Sequence, residues 1–262
     1  MWTGTVVHGI AEEGLKRAMG DLQRGGHVRD WPLEDMRHAA NRQVSEDIDG
    51  SESGAWLQRP AKRTGFAEHY YATPVTREDW DAAADEIDRQ VITLHENRIY
   101  QRLLASADRL TEVEELRRFT VGDPAFGAEV YLAVDAMVGD GKGGVVIIDW
   151  KTGSNHDDAE IASQLGIYGL YATQELGIPE DRIVAMHVNL RHNTETRHAV
   201  GPTEIALARE AVRAGVTELR APLKDVARNI AEKDDFPTLA EGSAKCGWCN
   251  FRRSCGREAP KV

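Results

Sequence analysis

The sequence predicts a mixed α/β fold, a β-sheet flanked by helices. Three observations predict it. Two runs rich in β-branched and aromatic residues, Tyr131 to Val138 and Val145 to Trp150, flank the stretch Gly139-Asp140-Gly141-Lys142-Gly143-Gly144. Glycine reaches φ > 0 at no steric cost, so this stretch reads as the turn of a β-hairpin. A helical pattern at 157–175 then leads to a further strand, Ile183 to Leu190. With a short strand before the hairpin and helical stretches at both ends, the order strand, strand, strand, helix, strand is that of a mixed sheet.

Length and composition bound the rest. A chain of 262 residues can bury a full core, as one large domain or as a core with an appended lobe. No stretch approaches the length of a transmembrane helix, and the N-terminus lacks the basic-then-apolar pattern of a signal peptide, so a cytoplasmic protein with no membrane partner is expected. The formal charge of −11 counts mildly against tight non-specific DNA binding. It describes long-range steering rather than the local field of a cleft, and a nuclease that meets its substrate through bridging metal ions can be acidic overall.

In chain order, residues 4–22 have a helical period, with Val7, Ile10, Ala11, Leu15, Ala18 and Leu22 on one stripe. His8 flanks that stripe, with Glu12 one turn on. Trp2 and the first helical turn have no evident partners, the look of a chain that has lost its beginning. From Gly25 to Thr76 the composition turns polar, with a loop-like SEDIDGSESG. There Arg59, Lys62 and Arg63 precede His69-Tyr70-Tyr71, which reads either as a solvated connection or as a track for phosphates and stacked bases. Residues 77–108 form a long amphipathic helical stretch carrying Trp80, Ala83, Ile87, Val91, Leu94, Ile99 and Leu103. Glu112 to Phe119 reads as a short strand, a paired strand is expected near 196–200, and residues 202–233 are helical again.

The hairpin carries an anomaly. Side chains alternate along a strand, so Ile147, Asp149 and Lys151 share one face, and two ionised groups follow an apolar run where a buried strand should continue. Asp135 interrupts the partner strand in the same way. A strand end emerging into water with a salt bridge explains the pair as well as a catalytic site does. On the next helix Gln164 and Tyr168 lie four apart and face the same side, within reach of a phosphate or a lysine, or as polar groups at the rim of a core helix.

The last segment holds all three cysteines, Cys246, Cys249 and Cys255, spaced C-x2-C-x5-C. An odd number so crowded argues against a secreted disulfide framework and for a metal centre, zinc or iron–sulfur. Either centre normally takes four ligands, and the chain supplies three cysteines.

Asp135, the Asp149-Trp150-Lys151-Thr152-Gly153 strand, Gln164-x-x-x-Tyr168, the cysteine triplet and Gly4-x-x-x-His8, in this order of roles, resemble the PD-(D/E)XK nucleases of the RecB/AddB type, including the CRISPR-associated RecB-like exonucleases. The resemblance spans the chain, loosely in 27–118. It implies a restriction-endonuclease-like sheet core with a helical insertion and a C-terminal cysteine-rich lobe. As one domain over 1–262, it divides into a histidine helix (1–26), a loop and helical region (27–118), the catalytic sheet core (119–201), a helix (202–237) and the cysteine lobe (238–262). It implies Asp135 and Asp149 as carboxylates for Mg²⁺ or Mn²⁺, with His8 and the Trp150 carbonyl completing the set. Lys151 would position the attacking water and offset phosphate charge, with Gln164 and Tyr168 orienting Lys151 or the DNA backbone. Cys246, Cys249 and Cys255 would bind a [4Fe–4S] cluster with a fourth cysteine that this chain lacks, zinc being the alternative. A glycine usual in the family just before the first acid is replaced by Tyr131-Leu132-Ala133-Val134. The expected function is metal-dependent hydrolysis of DNA, exonucleolytic on single strands or duplex ends, in recombination, repair or phage defence. A helicase or other repair or defence protein is the expected partner. The alternatives are an inactive nuclease-fold module that binds DNA or a helicase, and a zinc adaptor without a nucleic-acid role.

Overall fold

The structure, a computed structural model, describes residues 2–60, 62–122, 127–154, 158–236, 238–240, 243, 245–246, 249 and 251–256. Along the chain, helices α1 (Trp2–Gln23), α2 (Leu33–Glu52), α3 (Ala67–Tyr70), α4 (Arg77–Glu96) and α5 (Arg98–Ala105) precede strands β1 (Leu110–Glu112), β2 (Leu116–Val121), β3 (Ala128–Ala133), β4 (Ala136–Gly139) and β5 (Val145–Lys151). Helix α6 (Asp158–Leu176), strands β6 (Ile183–Asn189) and β7 (Thr194–Ala199) and helix α7 (Pro202–Arg220) follow. A five-stranded sheet has the order β1-β4-β5-β6-β7, and β2 pairs with β3 apart from it. β5 and β6 run parallel and the other pairs antiparallel, so the sheet is mixed, as expected. Among the described residues no helix is long and apolar enough to cross a membrane.

Alternation along β5 builds two cores. Ile148 and Trp150 face one side, where α1, α2, α4 and α5 cover the sheet. Val145 and Ile147 face the other, against Ile161, Leu165 and Tyr168 of α6, with α7 packed beyond it. Asp149 and Lys151 share the parity of Ile147 and therefore lie on the α6 side. The glycine turn closes the hairpin through Asp140, whose carboxylate accepts the N–H groups of Lys142 and Gly144 at 2.7 and 2.8 Å.

The expected strand 131–138 is two strands in two sheets. β3 ends at Ala133 and β4 starts at Ala136. Ala136 opposes Ile148, so Val134 would oppose Trp150. There the Asp135 carboxylate accepts the Trp150 N–H at 2.6 Å, and a side chain takes the place of the backbone partner. The expected strand at 112–119 is likewise broken, between β1 and β2, at Glu114, which has φ 48°. That left-handed conformation is uncommon for a residue with a side chain and ends the ladder.

Two further expectations change. The polar stretch after Gly25 contains the 20-residue α2, which takes in most of the loop-like segment. Met36, Ala40, Val44, Asp47 and Ser51 form its buried stripe at helical spacing. The polar members are satisfied: Asp47 accepts from the Trp2 indole at 2.8 Å and from Gln43 at 3.1 Å, and Ser51 receives the Phe66 N–H at 2.8 Å. Trp2 thus has partners, edge-on to Phe66 and Trp80 at 4.9 and 6.0 Å. The stretch 77–108 is two helices, because Asn97 caps the second by accepting the N–H groups of Ile99 and Tyr100. Helix α7 ends at Arg220, short of the expected 233.

Where α1 meets α5, Gly14 leaves room for the Tyr100 side chain. A Cβ on Gly14 would overlap the Tyr100 hydroxyl and crowd Trp31. In an open helix, glycine to alanine stabilises by about 1 kcal/mol. Here overpacking outweighs that gain, so Gly14→Ala is expected to destabilise by about 1–3 kcal/mol in denaturant unfolding. Tyr100→Phe in the same chain should recover most of the loss; additive losses would place the strain elsewhere.

Candidate active site

The broken strands bring three ligand-bearing side chains together. Nδ1 of His8, on α1, lies 3.2 Å from Glu114 Oε1 and 3.7 Å from Asp135 Oδ1. Ligand atoms of His8, Glu114 and Asp135 all lie within 4.8 Å of one another, a group that could hold a metal ion. Two carboxylates and an imidazole offer hard oxygen and borderline nitrogen donors, which suit Mg²⁺ or Mn²⁺.

The electrostatics match this crowding. Burial pushes the Asp135 carboxyl up to about 7; the fields of Asp149 and Glu114 add to this, while His8 and the Trp150 N–H oppose it. For His8, burial disfavours the charge, but the hydrogen bond to Glu114 and the fields of Asp135, Glu114 and Asp149 outweigh it, and its pKa is raised. The hydrogen bond from His8 holds the Glu114 carboxyl below its usual range. A cation in this group would relieve the repulsion among the carboxylates.

Beside it runs a chain of hydrogen bonds. Lys151 Nζ lies 3.0 and 2.8 Å from the two oxygens of Asp149, which is 1% exposed. Lys151 Nζ also donates to Gln164 Oε1 at 2.8 Å. Gln164 Nε2 then donates to the Tyr168 hydroxyl at 2.8 Å, and that hydroxyl donates to the Ala133 carbonyl at 3.1 Å. Because an ammonium can only donate and a carbonyl can only accept, both ends fix the direction of the chain. Burial raises the pKa of Tyr168, which keeps the phenolic proton this direction needs. The chain ends two residues before Asp135, tying Lys151 to the strand end that carries the carboxylate.

The segment after Lys151 is pinned too. Gln90 holds the Thr152 carbonyl, Asn189 that of Gly153 and His192 that of Ser154, each at 3.2 Å. A cleft of about 760 Å³ opens over the site, between α1, α2 and the end of β5, with His8, Glu114, Lys151 and Thr152 in its lining.

The structure thus brings His8 to Asp135, and Lys151 to Asp149, Gln164 and Tyr168. Trp150 contributes its backbone N–H to Asp135, and its indole is buried edge-on to Tyr100 at 6.3 Å. Glu114 is the residue that sequence reasoning missed. It stands in the acid-rich run Glu112-Val113-Glu114-Glu115, where nothing distinguishes it. Glu112 takes a structural part, buried between Arg117 and the Tyr171 hydroxyl.

The cysteines supply three thiols where the implied cluster takes four ligands. Cys246 and Cys249 are half-buried, Cys255 is exposed, and all are free thiols. The lobe meets the helical region through cation–π contacts: the Arg252 guanidinium sits 3.7 Å over the Tyr71 ring, and Arg253 4.9 Å over Tyr70. The two tyrosines read as a base-stacking track therefore carry arginines instead.

These features agree with the comparison to known families. The chain belongs to the PD-(D/E)XK nuclease superfamily, whose sequence pattern matches residues 2–256, and a nuclease-type function follows. A solved protein, described as the crystal structure of SSO0001, aligns over 95% of this chain and 98% of its own, with 14% identity and a TM-score of 0.35. No curated protein matches the sequence significantly.

The His8–Glu114 pair has a testable pH signature. The raised pKa of His8 gives stability that is present below the unfolded histidine value and lost as pH rises through the folded one. Glu114→Gln should lower the His8 pKa in NMR titration and destabilise the fold more at pH 6 than at pH 8.5. An unmoved His8 resonance would remove the pair from the site.

Proposed function

We propose that the protein is a Mg²⁺- or Mn²⁺-dependent DNA nuclease of the RecB/AddB type, acting exonucleolytically on single strands or duplex ends. One observation carries the reading: Lys151, held between Asp149 and Gln164, lies beside a three-residue group suited to a divalent cation. Phosphodiester hydrolysis needs a positioned water and positive charge against the phosphoryl oxygens, and this arrangement supplies places for both.

Asp135 is the central ligand in this reading, with His8 and Glu114 on one flank and Asp149 and the Trp150 carbonyl on the other. A carboxylate has about four lone-pair sites, so Asp149 can hold Lys151 and a cation together. The cation would supply Lewis-acid polarisation of the phosphate. The chain's own residues do the positioning. Lys151 has three N–H donors, shared among the two Asp149 oxygens and Gln164 Oε1; exchanging one Asp149 oxygen frees a donor for a phosphate oxygen or the attacking water. Tyr168 and Gln164 keep the ammonium from swinging away, which preserves the alignment that hydrolysis requires. The [4Fe–4S] cluster plays no part in the chemistry of this reading, since the chain supplies three cysteines where a cluster takes four ligands. Recombination, repair or phage defence, with a helicase-type partner, is the setting in which such an activity belongs.

The test is cleavage of 5′- and 3′-labelled single- and double-stranded DNA in Mn²⁺ against EDTA. Metal-dependent cleavage is expected, falling by about 10³-fold or more in Lys151→Ala, a loss of the size seen for removed electrostatic donors. Cleavage undiminished in that variant removes Lys151 from the mechanism. A folded protein that binds DNA without cutting it in any metal would be an inactive nuclease-fold module.

Asp135→Asn should fold at least as stably as the parent without metal, because it keeps an acceptor for the Trp150 N–H and removes a buried charge from the acid group. It should lose the rise in melting temperature that Mn²⁺ gives the parent. An unchanged rise would place the metal elsewhere.

A further inference from the structure

We propose that the substrate strand lies along α1 across the bare backbone of Gly9 and is gripped from the opposite wall of the cleft by Arg42. This deepens the nuclease reading and rests on it. The cleft is lined by α1 on one side and by Ala39, Arg42 and Gln43 of α2 on another. A second groove, of about 470 Å³, continues along α1 past Lys16, Arg17 and Arg24. Gly9, Glu12 and Glu13 line both, so the two form one path that starts at His8.

Two features of that path point to a phosphodiester strand. The first is Gly9 itself. It is exposed in the middle of a helix, where glycine is disfavoured, and a Cβ there would meet nothing within 4 Å. Gly4 and Gly14 on the same helix differ: a Cβ would press on Thr152 at the first and Tyr100 at the second. Packing explains those two and leaves Gly9 unexplained, whereas close approach of a ligand to the backbone beside His8 accounts for it.

The second feature is charge. Arg42 and Lys151 are the cations among the cleft-lining residues. Lys151 is held by Asp149, while Arg42 is exposed and makes no ion pair among the described residues. The nearby carboxylates are already engaged: Glu12 by Lys16, Glu13 by Arg17, Asp47 by Trp2 and Gln43. A guanidinium without a carboxylate, facing a cation-binding group across a cleft, fits a phosphate next to the one being cleaved. Beyond Gly9, Lys16 and Arg17 offset Glu12 and Glu13 through exposed i,i+4 pairs, so those carboxylates do not repel a strand from the second groove.

The test measures binding of a fluorescein-labelled oligothymidylate by anisotropy with Ca²⁺ in place of Mn²⁺, alongside melting temperatures and Mn²⁺-dependent cleavage. Gly9→Ala should raise the melting temperature by about 1–3 °C, as alanine does in an open helix, and still weaken binding. Gly9→Leu should weaken binding at least tenfold. Arg42→Ala should do the same and make the logarithmic salt dependence shallower by about 0.7, the value for one phosphate on a single strand. Gly215→Ala, at an equally open position on α7, should give the gain in melting temperature with unchanged binding and cleavage. If the parent cleaves DNA and both Gly9→Leu and Arg42→Ala bind within twofold of it, the strand path is wrong and the nuclease reading stands. A parent that neither binds nor cleaves overturns both. If Gly9→Leu fails to fold, Gly9→Ala and Arg42→Ala decide.

Discussion

The hydrogen bond from the Trp150 N–H to the buried carboxylate of Asp135 is the constraint on which the site depends. β4 ends two residues short of that point, and an acid side chain supplies the hydrogen-bond acceptor in its place. A carboxylate is thereby fixed inside the sheet, against the backbone between Asp149 and Lys151. Burying it there is costly, and the raised pKa of Asp135 records that cost. His8 and Glu114 on one side and Lys151 with Asp149 on the other are the responses that the surrounding structure makes to it.

Most of this was legible where chemistry depends on spacing. Strand alternation places Asp149 and Lys151 together, and helical periodicity places Gln164 beside Tyr168. The β4–β5 hairpin and the helix that leads on to β6 follow from the pattern of runs and turns. Glu114 was illegible because its part depends on a left-handed backbone break, which no side-chain pattern announces, and because three acids crowd together there. Helix α2 was illegible for another reason. Its polar, Gly- and Ser-containing second half reads as loop, yet Asp47 and Ser51 are buried by partners far along the chain, Trp2 and Phe66. Tertiary contacts override local propensity there.

The helical region at 33–105 does more than decorate the sheet. Helix α4 packs against both α1 and α2, and Gln90 on it reaches the Thr152 carbonyl just after Lys151. Helix α2 forms the wall opposite α1 and so turns an open sheet end into a cleft. The cysteine lobe meets this region through Arg252 and Arg253 on Tyr71 and Tyr70. Its docking thus has a physical basis in the residues present, independent of any cluster. The overall charge of −11 is compatible with an anionic substrate because several carboxylates lining the cleft are taken up by neighbouring side chains.

In the proposed reading, Asp135 organises a divalent-cation site with His8 and Glu114. Anomalous diffraction from crystals soaked in Mn²⁺ tests it most directly. One strong peak is expected at about 2.0–2.3 Å from an Asp135 carboxylate oxygen, with His8 and Glu114 in the same coordination sphere. A peak bound elsewhere, with Asp135 uncoordinated, would contradict it.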